Sequence, residues 1–320
     1  MNTNQQLSLF PGNKGISGEP FPLPVTVSET LDARSSLTAA IGAFHAHMRR
    51  QGFAENTIKA FGGDLNIFRK YVGVTRPIAD IGAQDLNHFL EYLRYERAVP
   101  CNMKSYQRRL TSLKVFFAFL HSIKAIANDP AAAIPHQPVI TPLPEILHDN
   151  QVDQLQNTTW QILHGTKSDA RPHLLVSLVL ATGIKKSECM AIALGDIDLS
   201  HPDSPYVLIR YEDPRRRHKE RKLRLPADFA ESFERYKEQY QPREKLFECT
   251  SRNLEYVLTD VSQMAGLDGK VSFEVLRWTS AVRDLRRGMR EETLRQKLGL
   301  SSITWQEAGD KIKRLAAKPL

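Results

Sequence analysis

Residues 271–300, VSFEVLRWTSAVRDLRRGMREETLRQKLGL, decide how this chain is read. Leu276 and Val282 share the apolar face of a helix with Arg277 beside them. A basic segment follows, and a second amphipathic helix closes at Gly299, a residue suited to a helix end. An arginine set among apolar neighbours loses hydration and needs an anion close by. Elsewhere that anion would be an Asp or Glu, but on a basic chain a phosphate competes with it.

The chain is basic throughout. Its formal charge of +8 and pI of about 9.3 favour a polyanionic partner, with nucleic acid first and an anionic membrane surface second. Its 320 residues, 41% hydrophobic and 25% charged, suit a soluble globular protein of one large domain or two ordinary ones. Cys101, Cys189 and Cys249 lie far apart and match no zinc spacing, so free thiols in a reducing compartment are expected. No apolar run approaches the roughly 20 residues that span a bilayer. The N-terminus lacks a basic-then-apolar signal. The expectation is a cytoplasmic, nucleoid-associated protein without membrane contact, cofactor or metal.

Upstream of the opening stretch, VLIRYEDPRRRHKERKLRLP alternates on either side of Asp213-Pro214, as a β-hairpin does. Its tip and return strand carry Arg215, Arg216, Arg217, Lys219, Arg221, Lys222 and Arg224. Cations this dense repel one another, so the hairpin must face solvent or an anion. Helices are predicted around Asn150–His164, Arg171–Ala181, Asp228–Tyr240 and Asn253–Ala265, with a basic tail from Ile303 to Leu320.

The first half reads as helical. Ile41, Phe44 and Met48 mark one helix that stops at Gly52. Asn56-Thr57 caps a second, with Ile58, Phe61, Leu65 and Phe68 inward. Asp80–Arg97 and Asn102–Ile123 give a third and a fourth. Arg49, Arg50, Lys59, Lys70, Lys104, Arg108, Arg109 and Lys114 are read as outward, a surface able to track a phosphate backbone. The division expected is a disordered tail at 1–36, with a short apolar patch at Leu7–Pro11, a helical domain at 37–124, a proline-rich connector at 125–147 and a mixed domain at 148–320. The chain has no internal repeat, phosphate-cradling Gly loop, HExxH or GxSxG.

From about residue 37 to 310 this layout resembles the tyrosine recombinase (phage integrase) family. NTIKAFGGDLNIFRKYV and YQRRLTSLKVFFAFL look like helices of its core-binding domain, and NDPAAAI with the proline run looks like its linker. TGIKKSECMAIALGDIDL is similar to the first catalytic box, usually TGLRxSELxxLxWxDID. KERKLRLP looks like the end of the catalytic hairpin. FEVLRWTSAVRDLRRG is similar to HxLRHxxAxxLxxxG, and LRQKLGLSSI to the LGHSS segment.

The resemblance implies a mainly α fold with a small β-sheet: an N-terminal helical core-binding (SAM-like) domain and a mixed α+β catalytic-type domain. It also implies transesterification at a DNA phosphate. There, fixed cations stabilise charge on a pentavalent phosphorus and a tyrosine hydroxyl attacks. Carried over residue by residue, the first arginine falls on Lys185, which cannot form a planar fork. The hairpin lysine falls near Arg216, with Lys219 as a substitute. The histidine falls on Glu274 and the second arginine on Arg277. The His or Trp of the last box falls on Leu300. The tyrosine should lie near Gly309, yet none follows Tyr256.

Glu274 stands three residues before Arg277, so an ion pair within one helix is expected, with a proton-shuttling carboxylate as the other reading. Trp278 is read as core. Ser301, Ser302 and Thr304 are read as a helix cap. The functional expectation is a DNA-binding relative of the site-specific recombinases and integrases of mobile elements that has lost cleavage and serves as an accessory or regulatory clamp on duplex DNA. Its further partners would be an active recombinase or a second copy of itself. Two other readings stand beside it: an active recombinase with an unconventional or partner-supplied nucleophile, and a protein-interaction module that uses the fold without DNA. Under the first reading, DNA contact is assigned to Arg49, Arg50, Lys59, Lys104, Arg108, Arg109, Lys114, Arg215, Arg216, Arg217, Lys219 and Arg221.

Overall fold

The computed structural model describes residues 31–99, 101–136, 142–201 and 204–318. The chain divides into two compact units between residues 140 and 141. Most of the expected tail, including the patch at Leu7–Pro11, lies outside the described residues.

The first unit is helical. Helix α1 (Leu37–Arg50) starts at Ser36, whose side chain accepts a hydrogen bond from the Ala39 N–H and so satisfies one free donor of the first turn. Helices α2 (Glu55–Val72), α3 (Ala83–Glu91) and α4 (Met103–Ser122) follow, the last capped by Asn102. Phe44, Phe68, Phe89, Phe116 and Phe117 fill the centre. Their rings meet edge to face, Phe44 on Phe116 at 5.5 Å and Phe68 on Phe89 at 5.0 Å.

Three local expectations for this unit are corrected. Helix α2 begins before Asn56, after Ala54, with no side-chain cap. The segment Asp80–Arg97 is not one helix: a 3-10 turn at Ile78–Asp80 gives way to an extended Ile81, and α3 starts anew where the Asp85 carboxylate accepts from the Gly82 N–H. Helix α3 then runs into a π-helical turn at Tyr92–Glu96. The start of the proline-rich run is no free spacer, because Ala125, Ile126, Ala131 and Ile134 are buried in the helical core.

The second unit is built around α6 (Ala170–Thr182), whose sequence HLLVSLVL is apolar on every side and buried almost throughout. Helices α5 (Asp149–His164), α8 (Phe229–Tyr240), α9 (Ser251–Met264) and α10 (Phe273–Arg286) contribute to the same core. The expected hairpin is present. Strand β1 (Ile197–Asp198) pairs with β2 (Tyr206–Ile209), which pairs antiparallel with β3 (Arg221–Arg224), placing Val207 opposite Leu223 and Ile209 opposite Arg221. Between β2 and β3 runs a 3-10 turn, Pro214–Lys219, opened by the Asp213 carboxylate on the Arg215 N–H.

Short helices α7 (Lys186–Cys189) and α11 (Glu291–Lys297) flank the site described below. The expected basic tail is instead a helix, α12 (Ser302–Ala316), capped by Ser301. Its Ile312 and Leu315 are buried in one cluster with Val282, Leu294 and Leu298. Each such aliphatic side chain contributes roughly 1.5–3 kcal/mol on burial, which a solvated tail would forgo. Among the described residues the fold is mainly helical with one small antiparallel sheet, as the resemblance implied. No helix among the described residues is long and apolar enough to cross a membrane.

Candidate functional site

Helix α6 stops at Gly183, which adopts a left-handed conformation (φ 61°) and turns the chain toward Lys185. Lys185 caps α7, and its N–H donates to Glu188 Oε2 at 2.9 Å. That carboxylate is the hub of the site. It is almost fully buried and pairs with Arg221 Nη2 at 2.9 Å across a guanidinium that is itself nearly buried. The Tyr211 hydroxyl also donates to it. Burial pushes the Glu188 carboxyl up, but the bonds from Arg221, the Lys185 amide and Tyr211 outweigh it and hold the group below its usual value.

Arg221 then reaches α11, where its Nε donates to the Lys297 carbonyl at 2.7 Å. Arg277 of α10 donates to the Leu298 carbonyl at 2.8 Å and to the Gly183 carbonyl. Burial brings the Arg277 guanidinium down to about 10, partly offset by the field of Glu188. Gly299 sits between these groups with φ 60°, and a Cβ there would fall 2.7 Å from Arg221 Nη1. Both its conformation and its closeness to the guanidinium require glycine.

Beside this network opens a cleft of about 660 Å³. Lys185, Glu274, Arg277, Trp278 and Leu300 all line it. Burial also lowers the Lys185 ammonium below its usual value. Helix α12 contributes Thr304, Ala308 and Ile312 to the lining. Gly309 is buried, and a Cβ on it would lie 2.9 Å from Cε2 of the Trp305 indole.

The structure thus brings Lys185, Glu274 and Arg277 together and leaves Arg216 and Lys219 out of the cleft lining. Arg216 is exposed on the hairpin turn, 6.0 Å from the Tyr211 ring centre, while the Lys219 carbonyl accepts from Arg221. The expected Glu274–Arg277 ion pair is corrected: Glu274 is exposed, and the Arg277 hydrogen bonds go to two carbonyls. Glu188 does the neutralising, and sequence reasoning missed it. A signal existed in its spacing from Lys185, since a Glu at the third position of a helix commonly closes a capping box.

Among the residues assigned to DNA contact, two are corrected. Arg109 is buried, bonded to the Cys101 sulfur and 3.5 Å from Asp64. Arg221 is interior, as described. Arg108 is half exposed but paired with Asp64 at 2.7 Å. Arg49 pairs with Glu55, Arg215 pairs with Asp213, and Lys114 reaches the Ala132 carbonyl. Arg50, Lys59, Lys104 and Arg217 are exposed. Among the described residues no group of three or more His, Cys, Asp or Glu is placed to hold a metal ion.

Residues 41–124 match the family described as "Phage integrase, N-terminal SAM-like domain". The chain is 33% identical over 164 residues to the tyrosine recombinase XerC of Roseiflexus sp., covering 50% of this chain and 51% of that protein. It is 24% identical to XerC of Staphylococcus epidermidis, over 78% of this chain and 84% of the relative. It is 21% identical to XerD of Listeria monocytogenes, over 86% and 94%. Among solved structures, a lambda integrase dimer bound to a COC' core site has a TM-score of 0.68 at 14% identity, over 89% of this chain and 79% of that one. The XerH site-specific recombinase bound to difH substrate has a TM-score of 0.66 at 16% identity, over 89% and 95%. These two likenesses are of fold. With a phage-integrase SAM-like domain in its first unit and sequence similarity to XerC and XerD running into its second, the chain is a homologue of the Xer tyrosine recombinases.

Proposed function

We propose that this protein binds duplex DNA and does not cleave it, acting as an accessory or regulatory factor in site-specific recombination. The observation that carries the loss of cleavage is Gly309. The resemblance puts the tyrosine nucleophile near this position, and here the residue is a buried glycine with the Trp305 indole packed where a side chain would start. The same cleft holds Lys185, Glu274 and Leu300 at positions where the family carries an arginine, a histidine and a His or Trp. Only Arg277 keeps a guanidinium there, and the Gly183 and Leu298 carbonyls hold it. A nucleophile from elsewhere would need a hydroxyl beside these cations. Tyr211, Ser272 and Thr304 supply hydroxyls, but that of Tyr211 is committed to Glu188, that of Ser272 to the cap of α10 and that of Thr304 to Ser301.

DNA binding is supported by the exposed cations of the hairpin turn, by the positive charge of the chain and by relatives described in complex with core-site and difH DNA. Phosphate contacts then supply most of the affinity. Fluorescence anisotropy with a labelled duplex at rising salt tests this part. A steep, linear loss of log affinity with log salt is expected, and no binding at low salt overturns it.

A further inference from the structure

We propose that the cleft between α7, α10 and α12 binds a small amphipathic organic anion, with its acidic head on Lys185 and Arg277 and its apolar body against Trp278, Leu300 and Ile312. The proposal shares the cleft with the functional reading above but does not require DNA binding.

The lining of the cleft combines cations with hydrocarbon. Lys185 and Arg277 both line it, and the Arg277 guanidinium is bonded to two carbonyls rather than to a carboxylate. Glu188, the nearest buried acid, is saturated by Arg221, Tyr211 and the Lys185 amide. The field of Glu188 reaches both cations, but its carboxylate is bonded to neither charged group, so an anion that enters the cavity stabilises them further. The other acids of the lining do not fill this role. Glu255 is held by Lys186 at 2.6 Å, and Glu274 is exposed, so solvent screens its charge.

The rest of the lining is largely hydrocarbon, with Phe273, Trp278, Ala281, Leu298, Leu300 and Ile312. A bare phosphodiester has no apolar surface to set against it. A carboxylate, sulfonate or phosphate ester on an aromatic or branched body matches both kinds of lining, and a volume of about 660 Å³ is that of a small-molecule site. Such a ligand would neutralise Lys185 and Arg277 and exclude DNA phosphate from them.

The test uses the full chain without DNA and an anilinonaphthalene sulfonate dye as the probe, read by fluorescence titration with decanoate as competitor. Saturable one-to-one binding, displaced by decanoate, is expected. Lys185→Gln and Leu300→Glu should each weaken it by about tenfold or more, while Lys237→Gln, a charge change on α8, leaves it unchanged. Thermal unfolding of each variant shows that the fold is kept; should Leu300→Glu fail to fold, Leu300→Ser takes its place. Non-saturable binding, or undiminished affinity in either cleft variant, overturns the proposal. A chain that fails to bind duplex DNA but passes this titration refutes the functional reading and leaves the cleft ligand standing.

Discussion

Arg221 and Arg277 donate to successive carbonyls, those of Lys297 and Leu298, at the C-terminal end of α11. One guanidinium comes from the hairpin and the other from α10. Carbonyls there lack helical partners and carry the negative end of the helix dipole, so cations suit them. The arrangement joins β3, the end of α6 and α11 around Gly299. Arg221 and Arg277 therefore tie elements of the second unit together.

Removing one side of the buried pair should be costly. Arg221→Met leaves the Glu188 carboxylate buried without its guanidinium, and a loss of about 3–5 kcal/mol is expected. Arg221→Met combined with Glu188→Met should recover most of it. Denaturant unfolding followed by tryptophan fluorescence checks this, because Trp160, Trp278 and Trp305 all lie in the second unit.

The same pair sets a pH dependence. The Glu188 carboxyl is held below its usual value in the folded state, so its contribution is fully present above the unfolded carboxylate value, about 4.3, and is lost as pH falls through the lower folded one. Asp64 in the first unit has the opposite sign. Burial raises its carboxyl despite Ser112, Arg108 and Arg109, so its charged form costs stability above the raised value and that cost is relieved on acidification. Below about pH 4, the second unit of the wild type should lose stability more steeply than the Arg221→Met/Glu188→Met variant. Equal slopes in acid-titrated unfolding curves would contradict the assignment.

Gly309 gives a third prediction. Alanine in a helix interior normally gains about 1 kcal/mol over glycine. Here the added methyl meets the Trp305 indole at 2.9 Å, so Gly309→Ala should instead cost about 1–2 kcal/mol. In a Trp305→Leu background that cost should vanish, which a double-mutant cycle measures as a coupling between the two positions.

The hairpin turn separates binding from folding. Arg215, Arg216 and Arg217 are exposed on the 3-10 turn, so replacing all three by alanine should leave the unfolding curve within about 0.5 kcal/mol. It should weaken DNA binding and flatten the log affinity against log salt slope by about 2–3, at roughly 0.9 for each phosphate no longer neutralised. Anisotropy titrations at several salt concentrations measure both.

Much of this was legible in the sequence because local pattern carried it. The helix at Arg171–Ala181, the alternating hairpin strands and the glycine at 299 each depend on residues close by in the chain. What was misread depended on partners far along the chain. Arg221 looked like one more cation of a solvent-facing turn, but its carboxylate is 33 residues away. Arg277 was expected to use Glu274, three residues distant; its guanidinium turns instead toward Gly183, 94 residues away, and Leu298, 21 away. Besides Glu188, two errors had a usable signal. Arg109 lies on the helical face of Leu113 and Phe116, which points it inward. Trp305, Ala308, Ile312 and Leu315 recur at three to four residues, the mark of the packed helix that was read as a tail.

The central claim, a DNA-binding recombinase fold without strand cleavage, is tested most directly with a nicked suicide duplex and denaturing electrophoresis, at a salt concentration where anisotropy shows the complex formed. The account predicts that the bound protein runs free of DNA in SDS, with the strands intact. A protein–DNA adduct that survives SDS would contradict it.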